Sequence, residues 1–176
     1  MIATKLFRAV IPAFLAAGFA ATDVAPAFAQ NVVTAHRLSA GLAAEAVSEA
    51  VASCAKQGYK ITAAVIDFDG IDQALLRGDG AMMTTLDAAR DKAYTALMLG
   101  AGRHEDSSGA VAQRMGNSPS AGGLAKLPHV LLAQGALVIR IGDEAVGAIG
   151  VGGAPGGDLD EACAKAGLDK ISGRLR

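Results

Sequence analysis

The spacing of apolar residues changes several times along the chain, and each change marks an element. Between Thr34 and Lys56 they recur at Leu38, Leu42, Ala43, Val47, Ala50, Val51 and Cys54, a spacing that gathers them on one helical face. Gly58 then supplies the stop. Lys60 to Phe68 reads as a strand through Ile61, Val65 and Ile66, Asp69-Gly70 turns it, and Ile71 to Leu76 returns antiparallel. The helical period resumes with Leu86, Ala89, Ala93 and Leu97 inward and Arg90, Asp91 and Lys92 outward. Thr84 and Asp87 have capping-box spacing at its start. From Gly100 to Leu127 the pattern loosens into glycine, serine and asparagine, with a helical turn around Ala110 to Met115.

Val130 to Ala133 is strand-forming and leads into Leu137 to Ile171, the most strongly patterned stretch. It holds two β-runs joined at Gly142-Asp143, a glycine-dense turn from Gly152 to Gly157, and an amphipathic helix for which Asp158 is the capping candidate. The order is helix, two strands, helix, loop or helix, three strands, helix. It predicts an α+β fold: one antiparallel sheet of about five strands flanked by helices.

A chain of 176 residues with a formal charge of −1 fits one domain, residues 30–176, and scattered Lys and Arg exclude the basic face that nucleic acid requires. The first 29 residues read as an export signal: Lys5 and Arg8, an apolar run from Ala9 to Ala21, and Ala27-Phe28-Ala29 before the cleavage expected after Ala29. That run is short of the ~20 residues a membrane span needs. The expected location is periplasmic or extracellular. In such an oxidising compartment Cys54 and Cys163, each on the apolar face of a predicted helix, are either one bridge between the first and last helices or two buried thiols.

Candidate chemistry is sparse. The three histidines, His36, His104 and His129, are far apart, and no paired-cysteine or H-E-x-x-H spacing marks a zinc site. His104-Glu105-Asp106 is the one tight cluster, on a loop where either a solvated histidine or a ligand fits. The glycines of Gly150 to Gly157 lack the Lys-Ser/Thr pair of a phosphate loop, which favours a structural turn. Asp67 and Asp69 have the spacing of an acid/base pair, yet a hairpin tip accounts for both.

AAVIDFDG at Ala63 to Gly70, LRGDGA at Leu76 to Ala81, KAYTA at Lys92 to Ala96 and AVGAIGV followed by DEACAKAGLDKI resemble the GlcG and HbpS family, which also includes the C-terminal domain of PduO-type proteins. The resemblance covers Leu38 to Ile171. It implies a five-stranded antiparallel, profilin-like sheet with helices, assembly as homo-oligomers up to octamers, and haem binding. In some exported members it implies oxidative haem degradation or redox sensing beside a membrane partner. Arg103-His104-Glu105 occupies the place of the Thr-His-Glu of PduO-like relatives, which makes His104 the axial iron ligand and Arg103 a propionate partner. Arg77 and Asp79 match the family's Arg-x-Asp-Gly-Ala, as an ion pair bracing the turn or as a propionate contact. Without a C-x-x-C-H, attachment would be non-covalent. The competing readings are a non-catalytic oligomeric accessory protein with incidental haem binding, and a small-molecule enzyme linked to glycolate metabolism.

Overall fold

The computed structural model describes residues 34–176; the expected leader and its cleavage site lie outside them. The first helix, α1 (Ala40–Lys56), is capped by Ser39, whose Oγ accepts from the Leu42 N–H at 3.3 Å. It buries Ala43, Ala46, Val47, Ala50 and Cys54. Gly58, at φ 83°, turns the chain out of it. Strands β1 (Thr62–Asp67) and β2 (Asp72–Arg77) form the first hairpin, β3 (Ala136–Ile141) and β4 (Glu144–Gly152) the second. All pairings are antiparallel, in the order β2-β1-β4-β3.

The sheet separates two apolar layers because neighbouring strand residues face opposite ways. Val65, Ile139, Ile149 and Val151 pack with α1 and the last helix, α5 (Gly157–Ser172). Ile66, Val138 and Ala148 pack with Ala93, Ala96 and Leu97 of α2 (Thr84–Thr95) and its continuation. The central strands are therefore buried on both faces, and β1 reads as a continuous apolar run. Two of the three glycines of β4 are explained by α2: a side chain at Gly150 would collide with the carbonyl of Ala89, and one at Gly152 would meet the Ala88 methyl at 2.9 Å, whereas one at Gly147 would strike the Ile66 carbonyl of β1. An alanine and glycine surface lets helix backbone rest directly on strand backbone. On the other face Cys54 and Cys163 are joined as a disulfide, with Cα atoms 5.7 Å apart and both residues fully buried.

Several expectations change. Val130 to Ala133 is not a strand, so the sheet has four strands. His129 at φ 61° and Gly135 at φ 137° bend the segment at both ends, and the Leu131 N–H donates to the Thr95 hydroxyl at 2.8 Å instead of to a neighbouring strand. Thr84 does not cap α2. Met83 holds the cap position in helical geometry, and Thr85 turns inward, donating to the Met82 carbonyl at 2.6 Å and pairing with the Thr62 hydroxyl at 2.7 Å. Asp158 does not cap α5, which Gly156 begins; it lies in the first turn, where the helix dipole favours a carboxylate.

Lys92, expected outward, is buried. Its Nζ donates to Asp160 Oδ2 at 2.6 Å, and Asp160 Oδ1 accepts from the Ala154 N–H at 2.9 Å. The β4 to α5 turn is a structural turn, with Gly153 against the Lys60 carbonyl and Gly157 against the Gln134 carbonyl. Asp67 and Asp69 serve the first hairpin tip: Asp67 Oδ1 accepts from the N–H groups of Asp69 and Ile71 at 3.0 Å each, and Asp69 pairs with Arg37 at 2.6 Å. These three hydrogen bonds thus occupy the two carboxylates that spacing alone made an acid/base pair.

Candidate functional site

The segment carrying His104 is built by the end of the longest helical run among the described residues, which starts at Thr84. After Thr95 the run widens into a π-helical turn, Ala96–Gly100, then tightens into a 3-10 turn, Ala101–Arg103. Such wide turns are found at functional positions. His104 ends the run in the left-handed region at φ 55° and ψ 28°, and the Glu105 N–H folds back to the Gly100 carbonyl at 3.2 Å. A side chain at Gly100 would strike the Glu105 carbonyl, so this position must be glycine.

The flap is braced on both sides of His104. Glu105 receives Arg114 Nε at 2.7 and 2.9 Å, and Arg114 also donates to the Leu99 carbonyl at 3.1 Å. Asp106 receives Arg140 Nε at 2.7 Å, while the remaining Arg140 nitrogens hold the carbonyls of Asp143 and Ala101. Ser107 then caps α3 (Ser108–Gly116) through the Ala110 N–H at 3.1 Å and bridges to Leu137, and a single further turn, α4 (Ala121–Leu124), follows. The loose composition of this stretch therefore hides an ordered flap. Arg103 and His104 are its exposed tip, and the His104 ring makes no hydrogen bond among the described residues.

Arg77 is not near them. It pairs with Thr62 at the start of β1, and the Thr62 to Thr85 contact fixes the start of α2 at that end of the sheet. Arg140, which holds the Ala101 carbonyl, pairs with Ala145, whereas Thr62 pairs with Gly152. Seven residue steps along β4 separate the two pairings, roughly 23 Å at the rise of a strand. One chain cannot place Arg77 and His104 on the same small ligand. The bracing pair expected between Arg77 and Asp79 is also not formed among the described residues; Arg77 is exposed at the end of β2.

A cleft beside the flap holds about 380 Å³ between β3 and α5, lined by Asp106, Leu137, Arg140, Leu168, Ser172 and Leu175. Its floor is apolar, but its one guanidinium is fully engaged and its rim carries carboxylates. A cleft of about 300 Å³ beside Tyr59, Lys60 and Asp79 lies at the Arg77 end. His104 lines neither of these clefts. The other two histidines are paired: His36 Nδ1 with Glu144 at 2.6 Å and His129 Nδ1 with Asp91 at 3.1 Å. No cluster of three His, Cys, Asp or Glu side chains suited to a metal ion occurs among the described residues.

Solved structures with this fold supply the comparison. HbpS matches at 32% identity and a TM-score of 0.70, over 79% of this chain and 93% of that one. A double mutant of HbpS from Streptomyces reticuli matches at 32% identity and a TM-score of 0.72, over 90% and 97%. The PduOC:Heme complex, at 17% identity, a TM-score of 0.67 and coverage of 77% and 96%, shares the fold. Among curated proteins nothing matches. The HbpS-like family, described as haem-degrading proteins, matches residues 38–169. Together with a four-stranded antiparallel sheet carrying helices on both faces, that match shows that the chain belongs to the HbpS-like family.

Proposed function

We propose that this protein is an exported, non-covalent haem-binding protein in which the exposed His104 ligates the iron and Arg103 pairs with a propionate. The observation that carries the reading is the family match across residues 38–169, joined to an imidazole that is exposed and, among the described residues, without a hydrogen-bond partner at the tip of a braced flap. The donor set fits the group: a neutral imidazole is a good iron ligand, and a guanidinium is a good carboxylate partner. When bound, haem iron supplies the redox and oxygen chemistry of any degradation or sensing. The chain's part is to hold the ring through Gly100, Glu105 and Asp106 and to offer Arg103 beside it.

The flap tip stands outside the clefts that flank it, so one chain gives the ligand a single wall. A second copy facing the flap would supply the other, which supports a homo-oligomer as the binding form, with a membrane-bound sensor as the partner of a signalling variant. Arg77 enters this reading only as the contribution of another copy. A non-catalytic accessory role rests on the same binding and differs only in what becomes of the haem.

The test is a hemin titration of the purified protein, following the Soret band. His104→Asn keeps a residue tolerant of the left-handed backbone and removes the imidazole. It is expected to weaken binding at least tenfold and to move the band. An unchanged band and affinity would remove His104 from the site, and no saturable band in the wild type would remove the haem reading. Added ascorbate or peroxide then separates consumption of haem from mere retention.

A further inference from the structure

We infer that a second haem-docking face lies on the outer side of α2, centred on His129. The inference rests on the haem reading above and adds a site to it. His129 follows Pro128 in the left-handed region at φ 61°, and its Nδ1 lies 3.1 Å from Asp91 Oδ1. A carboxylate only accepts, so in the neutral ring Nδ1 carries the proton and Nε2 keeps a free lone pair. A carboxylate holding the far nitrogen is the arrangement that orients imidazoles toward metals and makes them better donors. His104 has no such partner among the described residues. The His129 side chain is 59% exposed, so its ring stands open to a ligand.

The surface beside the ring suits a flat apolar molecule. The His129 ring tilts against Tyr94 with centroids 5.8 Å apart. Tyr94 and Met98 flank Gly70, at 3.2 and 3.3 Å from where its side chain would begin. They therefore join the first hairpin tip, whose Phe68 and Ile71 are 53% and 64% exposed. Met98 and Leu127 are also exposed. Phe68 and Ile71 stand on either side of Gly70 in the chain and Leu127 lies two residues before His129, so exposed apolar side chains adjoin both ends of the Tyr94 and Met98 stripe. Apolar surface gathered in this way marks interaction sites. Asp91, Tyr94 and Met98 stand three and four residues apart on the helical run, which lines up carboxylate, phenol and thioether along one side of it. Thr95, the next residue, pins the Leu131 N–H, so the segment bearing His129 is anchored to the same helix. Lys126, exposed three residues before His129, offers a cation to a propionate. An iron porphyrin meets all of these features at once: iron for Nε2, a hydrophobic ring for the tyrosine and methionine surface, and carboxylates for the lysine.

Hemin titration of the purified protein, read both as equivalents bound and as Soret position, tests the assignment. His129→Asn keeps a residue at ease in the left-handed backbone and lacks the imidazole. It is expected to lose one hemin equivalent, which added free imidazole restores. Asp91→Asn, which leaves His129 in place, is expected to weaken that equivalent by about ten- to a hundredfold, the usual effect of removing an orienting carboxylate. His104→Asn should leave it unchanged. If His129→Asn binds hemin with wild-type stoichiometry, affinity and spectrum, the inference is overturned while haem binding stands. A wild type without any saturable Soret band overturns both readings. A His129→Asn variant that alters only the number of subunits overturns the inference in favour of a contact between copies.

Discussion

Removing the Cys54 to Cys163 bridge is the perturbation whose size follows most directly from the structure. The cross-link spans a sequence separation of 109 and ties α1 to α5. In the chain-entropy treatment a loop of that length costs the unfolded chain about 16 cal/mol/K of freedom, or about 4.8 kcal/mol at 25 °C. Both residues are fully buried, so alanine at each also leaves a small void, whereas residual structure in the unfolded chain subtracts from the gain. Cys54→Ala with Cys163→Ala is therefore expected to cost about 4–5 kcal/mol, a large part of the roughly 5–15 kcal/mol that holds a domain together. Urea unfolding followed by circular dichroism should show the midpoint falling by roughly 2 M for a slope near 2 kcal/mol/M. The melting temperature should fall by roughly 10–20 °C. The slope itself should steepen, because an uncrosslinked chain exposes more surface on unfolding. A midpoint shift under about 0.5 M with an unchanged slope would refute the argument that the bridge acts on the unfolded chain.

Three further outcomes follow. Lys92→Met leaves Asp160 buried without its cation and should cost about 3–5 kcal/mol in denaturant unfolding, while Lys92→Met with Asp160→Asn should recover part of that loss; equal losses would mean the pair is uncoupled. Gly150→Ala puts a methyl into the Ala89 carbonyl and should separate α2 from β4, with a loss of more than about 2 kcal/mol; a melting curve like that of the wild type would show that the helix can lift without penalty. Hydrogen bonds from the His36 side chain and backbone hold the Glu144 carboxyl below the usual 4.5. A depressed carboxylate stabilises the fold above its unfolded pKa and loses that contribution as pH falls through its folded pKa. The tie to the second hairpin tip should hold at neutral pH and release below 4.5, and an NMR titration should find the Glu144 midpoint moved up toward 4.5 in His36→Ala.

Much of the fold was legible because it depends on period. The face of α1 from Ala43 to Cys54, both hairpins and the amphipathic α5 all declare themselves through residues that repeat every two or every three to four positions. What failed depended on partners distant in sequence. Val130 to Ala133 has strand composition, but one hydroxyl from Thr95 takes its amide hydrogen bond. Lys92 reads as surface because its partner, Asp160, comes 68 residues later in the chain. Capping went the same way: Thr85 was drawn inward by Thr62, which left Thr84 without a cap to make. At the site, sequence spacing singled out His104 with its acidic neighbours, and the structure shows those neighbours bracing the flap through Arg114 and Arg140. Nothing in the spacing joins His129 to Asp91, since their meeting depends on how residues 117–135 return across α2.

The π-helical turn at Ala96–Gly100 also fixes where the flap leaves the body of the molecule. In an α-helix each residue advances the chain by about 100° around the axis, and the wide turn accommodates one residue more than an α-helical turn would. Closing that turn to ordinary α-helical geometry with every residue kept would swing everything after it by roughly a quarter revolution. Arg103 and His104 would then leave on another side, out of line with Arg140. The bearing of the imidazole is thus a matter of residues per turn, set before the flap begins.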